Sequence, residues 1–240
     1  MGFVLKKAAT VVPITDGENG LEVLLLRRSG SLSFAPGLWV FPGGSLDDAD
    51  CEGATDETDA LATTAVREAQ EEAALILEKA SLTFFQRYTT PRGKKRFETW
   101  FFAAPVDRYQ LDICPDGGEI DAYQWVQPAH AISLFDNSEL PMYVPTGLVL
   151  MSLATFEDSE SVIGYLQTRP AVDIVPRAVV DGNGLVSLFP GDTAYEDLSI
   201  KKPGVKHRSR IDFATGLWNY EHSADETLYP RLDGGYRRIC

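Results

Sequence analysis

Three glutamates lie within five positions of the chain, at Glu68, Glu71 and Glu72. On a helix, residues three and four apart share a face, so these side chains would fall within an arc of roughly 100°. Carboxylate oxygens are hard ligands that suit Mg²⁺ or Mn²⁺. The spacing is therefore typical of a divalent-metal site, although an ordinary solvated helix face can show the same pattern.

A glycine turn upstream of these acids favours the metal interpretation. Glycine at positions 43 and 44 lets the backbone come close to a ligand, so the carbonyl of Gly43 is a candidate additional metal ligand. Arg67 lies four residues before Glu71 and can pair with that carboxylate and fix its orientation. Each feature alone is a weak signal, but the glycine turn followed by the acidic helix is a much stronger one.

The composition excludes several classes of function. Of the 240 residues, 44% are apolar, which suits one domain with an appendage or a small second domain. Acids outnumber bases 35 to 22, and the net charge of −13 disfavours binding to nucleic acids or anionic membranes. The three cysteines form no Cys-x-x-Cys pair, and no apolar run approaches the roughly 20 residues that span a bilayer. We therefore expect a cytoplasmic protein without a nucleic-acid or membrane partner.

Strand and helix patterns place the candidate residues. Two β-rich runs, 7–13 and 21–28, flank an Asn-Gly turn and predict a hairpin. A short strand at 38–41 leads into the glycine turn, and the acidic segment 45–55 is typical of an exposed loop. Acidic residues after Thr55, followed by an apolar stripe at helical spacing, predict the helix that carries the glutamates.

The remaining elements predict the fold class. We expect strands at 82–88, 98–105 and 122–126 and helices at 128–134 and 145–156. The order indicates an α/β fold with a mixed β-sheet between helices, an α/β/α sandwich.

The residue pattern of the sequence changes after about residue 170. An Asp-Gly-Asn-Gly turn at 181–184 lies between two β-rich runs and predicts a second hairpin. We therefore predict a first domain over residues 1–170 and a C-terminal extension over 171–240. The extension would contain this β-hairpin and an irregular segment that packs partly through Trp218 and Tyr220. It could complete a substrate pocket, mediate homodimer formation or only cover the sheet.

With these residues in place, the chain resembles the Nudix hydrolase family. The family signature is Gly, five residues, Glu, seven residues, Arg-Glu, an apolar residue, any residue, Glu-Glu, any residue and Gly. Gly44 matches its start, and Arg67-Glu68-Ala69-Gln70-Glu71-Glu72 matches its core. Asp50 stands where the first Glu is expected, and about nine extra residues follow it. Ala74 stands in place of the closing Gly, so the helix is expected to run on toward Leu77.

A second block narrows the resemblance. Thr90-Pro91, followed by Arg96-Phe97-Glu98-Thr99-Trp100-Phe101-Phe102, looks like a block of the subfamily typified by the peroxisomal coenzyme A diphosphatase. That subfamily also carries an insertion inside its Nudix box. The resemblance implies a Nudix-type sandwich and a pyrophosphohydrolase that depends on Mg²⁺ or Mn²⁺. Its substrate would be a nucleoside diphosphate linked to another moiety, with coenzyme A or acyl-CoA as the leading candidate.

The resemblance also implies roles for one arginine and four acids, namely Arg67, Glu68, Glu71, Glu72 and Glu119. Glu68 and Glu72 are expected to be the principal metal ligands, assisted by Glu71 and the Gly43 carbonyl. Arg67 would position Glu71. Glu119 lies in a loop beyond the signature and is a candidate base or further ligand, with a solvated loop acid as the equal alternative.

Substrate-binding candidates are basic or aromatic: Arg92, Arg96, Trp39 and Phe97. The two arginines belong to the densest basic cluster of an acidic chain and could hold phosphate. The two rings could stack on a base, although core packing is the commoner use of such rings. ADP-ribose, dinucleotides and nucleoside triphosphates stay open as substrates. A catalytically inactive nucleotide-binding module is a further alternative, which the retained helix glutamates disfavour.

Overall fold

One large sheet, flanked by helices, organises the chain. The computed structural model describes residues 5–91, 96–222, 227–230 and 236–239. Its strands are β1 (Leu5–Gly17), β2 (Gly20–Arg28), β3 (Trp39–Val40), β4 (Gly43–Ser45), β5 (Thr83–Thr89), β6 (Arg96–Pro105), β7 (Ile120–Val126), β8 (Val172–Ile174), β9 (Arg177–Asp181), β10 (Gly184–Leu188), β11 (His207–Asp212), β12 (Trp218–His222), β13 (Thr227–Pro230) and β14 (Tyr236–Ile239). Its α-helices are α1 (Glu57–Ala73), α2 (Pro128–Asp136), α3 (Val144–Leu153) and α4 (Ser159–Gln167).

The large sheet is mixed, as the sequence predicts. Its strand order is β3-β2-β1-β6-β5-β8, with β4 also paired to β1 and β7 to β2. Strands β1 and β2 form the predicted antiparallel hairpin, whereas β1 and β6 are parallel. Alternation along β1 sends Ala9 and Val11 into the cluster beneath α1, and Val12 and Ile14 into the cluster beneath α2, α3 and α4. Burial on both faces gives the α/β/α sandwich and confirms the predicted fold class.

Helix α1 ends earlier than the sequence predicts. It stops at Ala73, because Ala74 takes a left-handed backbone conformation with φ of 53°. The N–H of Ala74 bonds to the carbonyls of Ala69 and Gln70, and the N–H of Leu75 reaches the Ala69 carbonyl at 3.1 Å. The expectation that the helix runs on toward Leu77 is therefore wrong. These capping bonds and the complete burial of Leu75 outweigh the roughly 1 kcal/mol that a left-handed alanine costs.

The C-terminal part is more regular than predicted. Strands β11 and β12 join the predicted hairpin of β9 and β10 in a four-stranded antiparallel sheet, where the sequence indicates an irregular segment. Trp218 packs into the main core as expected, and its indole N–H donates to the Met142 carbonyl at 2.7 Å. The three buried residues of β11, His207, Arg208 and Ser209, are all polar, so the strand lacks the apolar pattern that would predict it.

The predicted boundary at residue 170 stays a prediction. The large sheet takes strand β8 from residues 172–174, which the sequence assigns to the extension. In the described part of the chain, no helix combines the length and the apolar character needed to cross a membrane.

The left-handed alanine generates a stability prediction. Replacing Ala74→Gly removes the Cβ clash and should raise the free energy of unfolding by about 1 kcal/mol. The control Ala73→Gly changes a residue with right-handed helical backbone and should lower it by about 1 kcal/mol. Urea unfolding of the two variants measures both effects. Destabilisation by Ala74→Gly would show that the cap is not strained.

The four-stranded sheet buries an ion pair and a histidine. Arg208 and Asp192 are 1% and 5% exposed, and the Arg208 Nε–H donates to Asp192 at 2.7 Å. His207 is 4% exposed, and its Nδ1 lies 2.9 Å from the Pro190 carbonyl. Burial lowers the pKa of His207 to about 3, although the charge of Asp192 acts in the opposite direction.

This histidine makes stability depend on pH. As the pH falls from about 7 to about 5, the unfolded chain gains a proton at an imidazole whose ordinary pKa is 6.5, and the folded chain does not. Stability therefore falls by about 2 kcal/mol over this interval through His207 alone. We expect His207→Gln to lose less stability than the wild type in urea unfolding at the two pH values. The exposed His130→Gln should behave as the wild type, and an equal loss in all three proteins contradicts the assignment.

Candidate functional site

The glycine turn lies directly against the acids of α1. The N–H of Gly43 donates to Oε2 of Glu72 at 2.9 Å. A Cβ at Gly43 would overlap the Ala9 carbonyl, and a Cβ at Gly44 would overlap the carboxylate of Glu68. Only glycine therefore lets β4 lie against both β1 and α1, which brings the two ends of the acidic insert together.

Two of the three helix glutamates are shielded from water. Glu72 is 6% exposed, and burial raises its pKa to about 8, against the hydrogen bond from the Gly43 amide. The side chain of Glu68 is 17% exposed, and burial raises its pKa too, although Arg67 acts in the opposite direction. The two carboxylates also repel each other, so the charge of Glu68 raises the pKa of Glu72 further.

Arg67 lies among the acids and donates hydrogen bonds to three of them. Its NH1 donates to Glu68 at 3.0 Å and to Glu71 at 2.9 Å, so the predicted pair with Glu71 is present. Its Nε and NH2 donate to the two oxygens of Asp50, each at 2.9 Å. These bonds, that with Asp50 first, raise the pKa of Arg67 above its ordinary value. Glu71 remains 59% exposed on the outer side of the cluster.

Asp50 is a structural part of this cluster, and the prediction of an exposed loop over 45–55 is wrong at this position. The chain forms a 3₁₀ turn at Asp48–Cys51, and Asp50 is 3% exposed. Its carboxylate also accepts from the Thr64 hydroxyl at 2.9 Å. The hydrogen bond from Arg67 contributes most to the low pKa of Asp50. The insert therefore folds back because this buried carboxylate needs the Arg67 guanidinium.

The loop that carries Glu119 docks onto the end of α1. The N–H groups of Cys114 and Asp116 donate to the carbonyls of Ala73 and Glu72, at 3.0 and 3.2 Å. The Asp116 carboxylate then accepts from the Glu119 amide at 3.0 Å and shapes the turn. Glu119 is 61% exposed, and its charge adds to the raised pKa values of Glu68 and Glu72. The structure thus brings Glu119 to the carboxylate cluster.

Sequence reasoning missed Arg28, which lies beside the same acids. It ends β2, its side chain is 17% exposed, and its NH2 lies 3.7 Å from Oε2 of Glu119. Its charge lowers the pKa of Glu72. Its backbone N–H donates to the Leu38 carbonyl, just before the glycine turn. A charged residue just after the apolar run 23–26 of β2, close to that turn in the chain, is the signal that could have found it.

Three of the four predicted substrate contacts lie in the described part of the chain, and each has different neighbours. The Nε–H of Arg96 donates to the Thr90 carbonyl at 3.0 Å, so this side chain links two neighbouring strands, and its phosphate role stays a prediction. Trp39 packs against the main core, with the Arg27 guanidinium 5.9 Å from its ring centroid. Phe97 lies 6.4 Å from Phe34, between ring centroids. Arg92 lies outside the described residues.

The carboxylates of the described residues do not converge on one metal position. Within the described ranges, no group of three or more His, Cys, Asp or Glu side chains is gathered so that it could hold a metal ion. Arg67 holds Glu68 and Glu71, whereas Glu72 is held by the Gly43 amide. The donor chemistry of the site nevertheless fits a divalent cation. Two shielded carboxyls with raised pKa values are stabilised as anions when a cation lies between them.

Comparison with known proteins agrees with this geometry. The family model described as NUDIX domain matches residues 4–143, more than half of the chain. Acyl-coenzyme A diphosphatase NUDT19 of Homo sapiens is 30% identical over 152 residues, which are 62% of this chain and 36% of that protein. The protein of the same name from Gallus gallus is 25% identical over 109 residues, 44% of this chain and 29% of that protein. The matched region spans about a third of these curated relatives.

A solved structure shares the fold. The crystal structure of a NUDIX hydrolase from Alicyclobacillus acidocaldarius is 29% identical and superposes with a TM-score of 0.63. The match covers 71% of this chain and 100% of that one. The family match over residues 4–143, together with the sandwich fold and the acids assembled around Arg67, shows that this chain belongs to the NUDIX family.

Proposed function

We propose that this chain is a divalent-metal-dependent pyrophosphohydrolase that cleaves a nucleoside diphosphate linked to another moiety. The observation that carries the proposal is Glu72, a carboxylate 6% exposed that lies next to Glu68 and is held by the Gly43 amide at 2.9 Å. Coenzyme A and its acyl thioesters are the leading substrates. The name of the relatives as acyl-coenzyme A diphosphatases supports this choice over the 62% of the chain that one of them covers.

Glu68 and Glu72 are the residues that would hold Mg²⁺ or Mn²⁺, with Glu71 and the Gly43 carbonyl as further ligands. The bound ion supplies neutralisation of the diphosphate charge and lowers the pKa of the attacking water. Without a cation, two shielded carboxylates side by side cost free energy, because each disfavours ionisation of the other. A protein that keeps both acids in this position gains from binding a cation there.

The other residues position these acids or accept a proton. Arg67 fixes the orientation of Glu68 and Glu71, and Asp50 in turn fixes Arg67. Glu119 is the proposed general base, because it is 61% exposed and therefore reaches water, whereas Glu72 is almost completely buried. Attack of water on one phosphorus breaks the bridging P–O bond and yields two phosphate monoesters.

A hydrolysis screen tests the proposal. The purified chain with Mg²⁺ is offered coenzyme A, an acyl-CoA, ADP-ribose, NADH, dinucleoside polyphosphates and nucleoside triphosphates, and the products are identified by mass spectrometry. Release of a pantetheine phosphate from coenzyme A supports both the reaction and the substrate. Turnover of another compound with none of coenzyme A contradicts the substrate alone. No metal-dependent turnover of any compound contradicts the proposed enzyme.

Replacement Glu72→Gln should abolish activity. It keeps the shape of the side chain but removes the charge, so we expect kcat to fall by about 10²-fold or more, as for loss of a group that stabilises charge. The fold should survive, because the neutral amide still accepts from the Gly43 N–H. The matched control is Glu57→Gln on the same helix, where Glu57 pairs with Lys7 on the surface and should leave kcat unchanged. Activity of Glu72→Gln near that of the wild type would exclude the assigned role.

Replacement Asp50→Ala tests whether this residue positions Arg67. It leaves Arg67 with Glu68 and Glu71 as partners, so we expect a loss of about 2 kcal/mol in unfolding free energy, less than for a fully buried pair. We also expect a fall in kcat of about 10- to 100-fold with little change in KM, as for residues that orient metal ligands. Asp48→Ala in the same 3₁₀ turn is exposed and serves as the control. A loss of stability without a loss of kcat would limit Asp50 to a folding role.

A further inference from the structure

We propose that Arg28 and the rings of Phe34, Phe97 and Tyr143 form the substrate-recognition side of the site. Arg28 binds the diphosphate, and the rings bind the base attached to it. This inference rests on the proposed function and adds the residues that select a nucleoside diphosphate over other phosphates.

The hydrogen bonding of Arg28 leaves room for an anion. Its Nε–H donates to the Phe34 carbonyl at 3.3 Å, and its NH2 forms an ion pair with Glu119 at 3.7 Å, beyond hydrogen-bond distance. In the described part of the chain, its terminal nitrogens donate no hydrogen bond. A guanidinium only 17% exposed normally has its N–H groups bonded. Diphosphate oxygens match the planar fork of the terminal nitrogens and would complete these bonds.

The position of Arg28 joins the acids to the rings. On one side its guanidinium lies 3.7 Å from Glu119, in the loop that docks onto the Glu72 carbonyl. On the other side its Nε–H donates to the carbonyl of Phe34, whose ring centroid lies 5.9 Å from that of Tyr143. A diphosphate bound at Arg28 would therefore lie between the carboxylate cluster and the aromatic rings.

The three rings form a continuous aromatic surface. The centroid of Phe34 lies 6.4 Å from that of Phe97 and 5.9 Å from that of Tyr143. Phe34 is 47% and Tyr143 is 39% exposed, although neighbouring apolar rings usually gain free energy by burial. Base stacking on such rings contributes about 1–3 kcal/mol per base. A base stacked on this surface would therefore bury the ring area that the protein leaves exposed.

The loop that presents Phe34 is strained. The next residue, Ala35, takes a left-handed conformation with φ of 55°, which costs an alanine roughly 1–2 kcal/mol. Ala35 is buried at 8% exposure, whereas Phe34 points its ring to the surface. The backbone therefore accepts strain while it keeps a large apolar ring exposed beside Arg28, and such strain often accompanies a binding role.

The test separates the two halves of the subsite by binding rather than by turnover. Calorimetry with Mg²⁺ uses three probes that the enzyme cannot cleave: α,β-methylene-ADP, methylene bisphosphonate without a base, and adenosine without phosphates. We expect Arg28→Ala to weaken binding of both bisphosphonates at least 10-fold. We expect Phe34→Ala and Tyr143→Ala to weaken α,β-methylene-ADP about 5- to 100-fold and to leave methylene bisphosphonate unchanged.

Matched controls come from the second sheet. Arg210 forms ion pairs with Asp181 and Glu221, and Phe213 is 58% exposed, so Arg210→Ala and Phe213→Ala should bind all probes as the wild type does. Arg28→Lys keeps the charge but loses the planar pair of terminal nitrogens, so it should retain part of the affinity for both bisphosphonates. It replaces Arg28→Ala in the test if that variant does not fold.

Several results would overturn the inference. Binding of α,β-methylene-ADP no tighter than that of methylene bisphosphonate removes the role of the rings, and unchanged affinity in Arg28→Ala or Arg28→Lys removes the role of Arg28. If Phe34→Ala leaves the affinity for α,β-methylene-ADP unchanged but raises the KM for an acyl-CoA, the rings bind the other moiety, and the assignment to the base is wrong. Hydrolysis that is lost in Glu72→Gln, together with any of these results, leaves the proposed function standing and removes this inference alone. If the probes bind as expected but no compound is hydrolysed, the recognition site stands and the proposed function is wrong.

Discussion

Arg67 is a cation placed among acids, and the arrangement of the site depends on it. Acidic side chains at helical spacing repel one another, and burying them increases the repulsion. The guanidinium offers five donors in a fixed plane, which here reach Asp50, Glu68 and Glu71 at distances of 2.9–3.0 Å. A lysine has three N–H donors on one nitrogen and could not make these four bonds, two of which form a fork on Asp50. The planar arginine therefore fixes both the insert and the acidic face of α1.

Glu72 is the acid for which no contact with Arg67 is described. It therefore differs from Asp50, Glu68 and Glu71 in its electrostatic environment. It faces the Gly43 amide and lies at the buried end of the cluster, beside the docked loop that carries Glu119. The other three acids share the positive charge of Arg67, whereas Glu72 receives an amide hydrogen bond and the more distant charge of Arg28. Glu72 is thus the acid whose ionisation a cation bound beside the glycine turn would favour most.

Local signals made the frame of this site predictable. Spacing on a helix brings Glu68, Glu71 and Arg67 together without knowledge of the tertiary structure, and an Asn-Gly turn is sufficient for the first hairpin. The part played by Asp50 was not predictable, because an aspartate in an acidic, turn-rich segment looks solvated until the chain folds back over 17 positions to Arg67. Ala74 was predicted wrongly for a related reason. Propensity favours continuation of the helix, but the burial of Leu75, a tertiary effect, ends it.

The proposed role of Arg28 is compatible with an acidic chain. A net charge of −13 repels anions at long range, but screening limits that repulsion to about 10 Å at moderate ionic strength. Within that distance the local balance decides, and a shielded guanidinium whose terminal nitrogens donate no hydrogen bond to the described residues attracts an anion strongly. The same acidic surface disfavours long polyanions, which extend beyond the site and meet the repulsion along their length. If the proposed site binds a diphosphate, the charge distribution would favour small phosphates over long polyanions before any base is recognised.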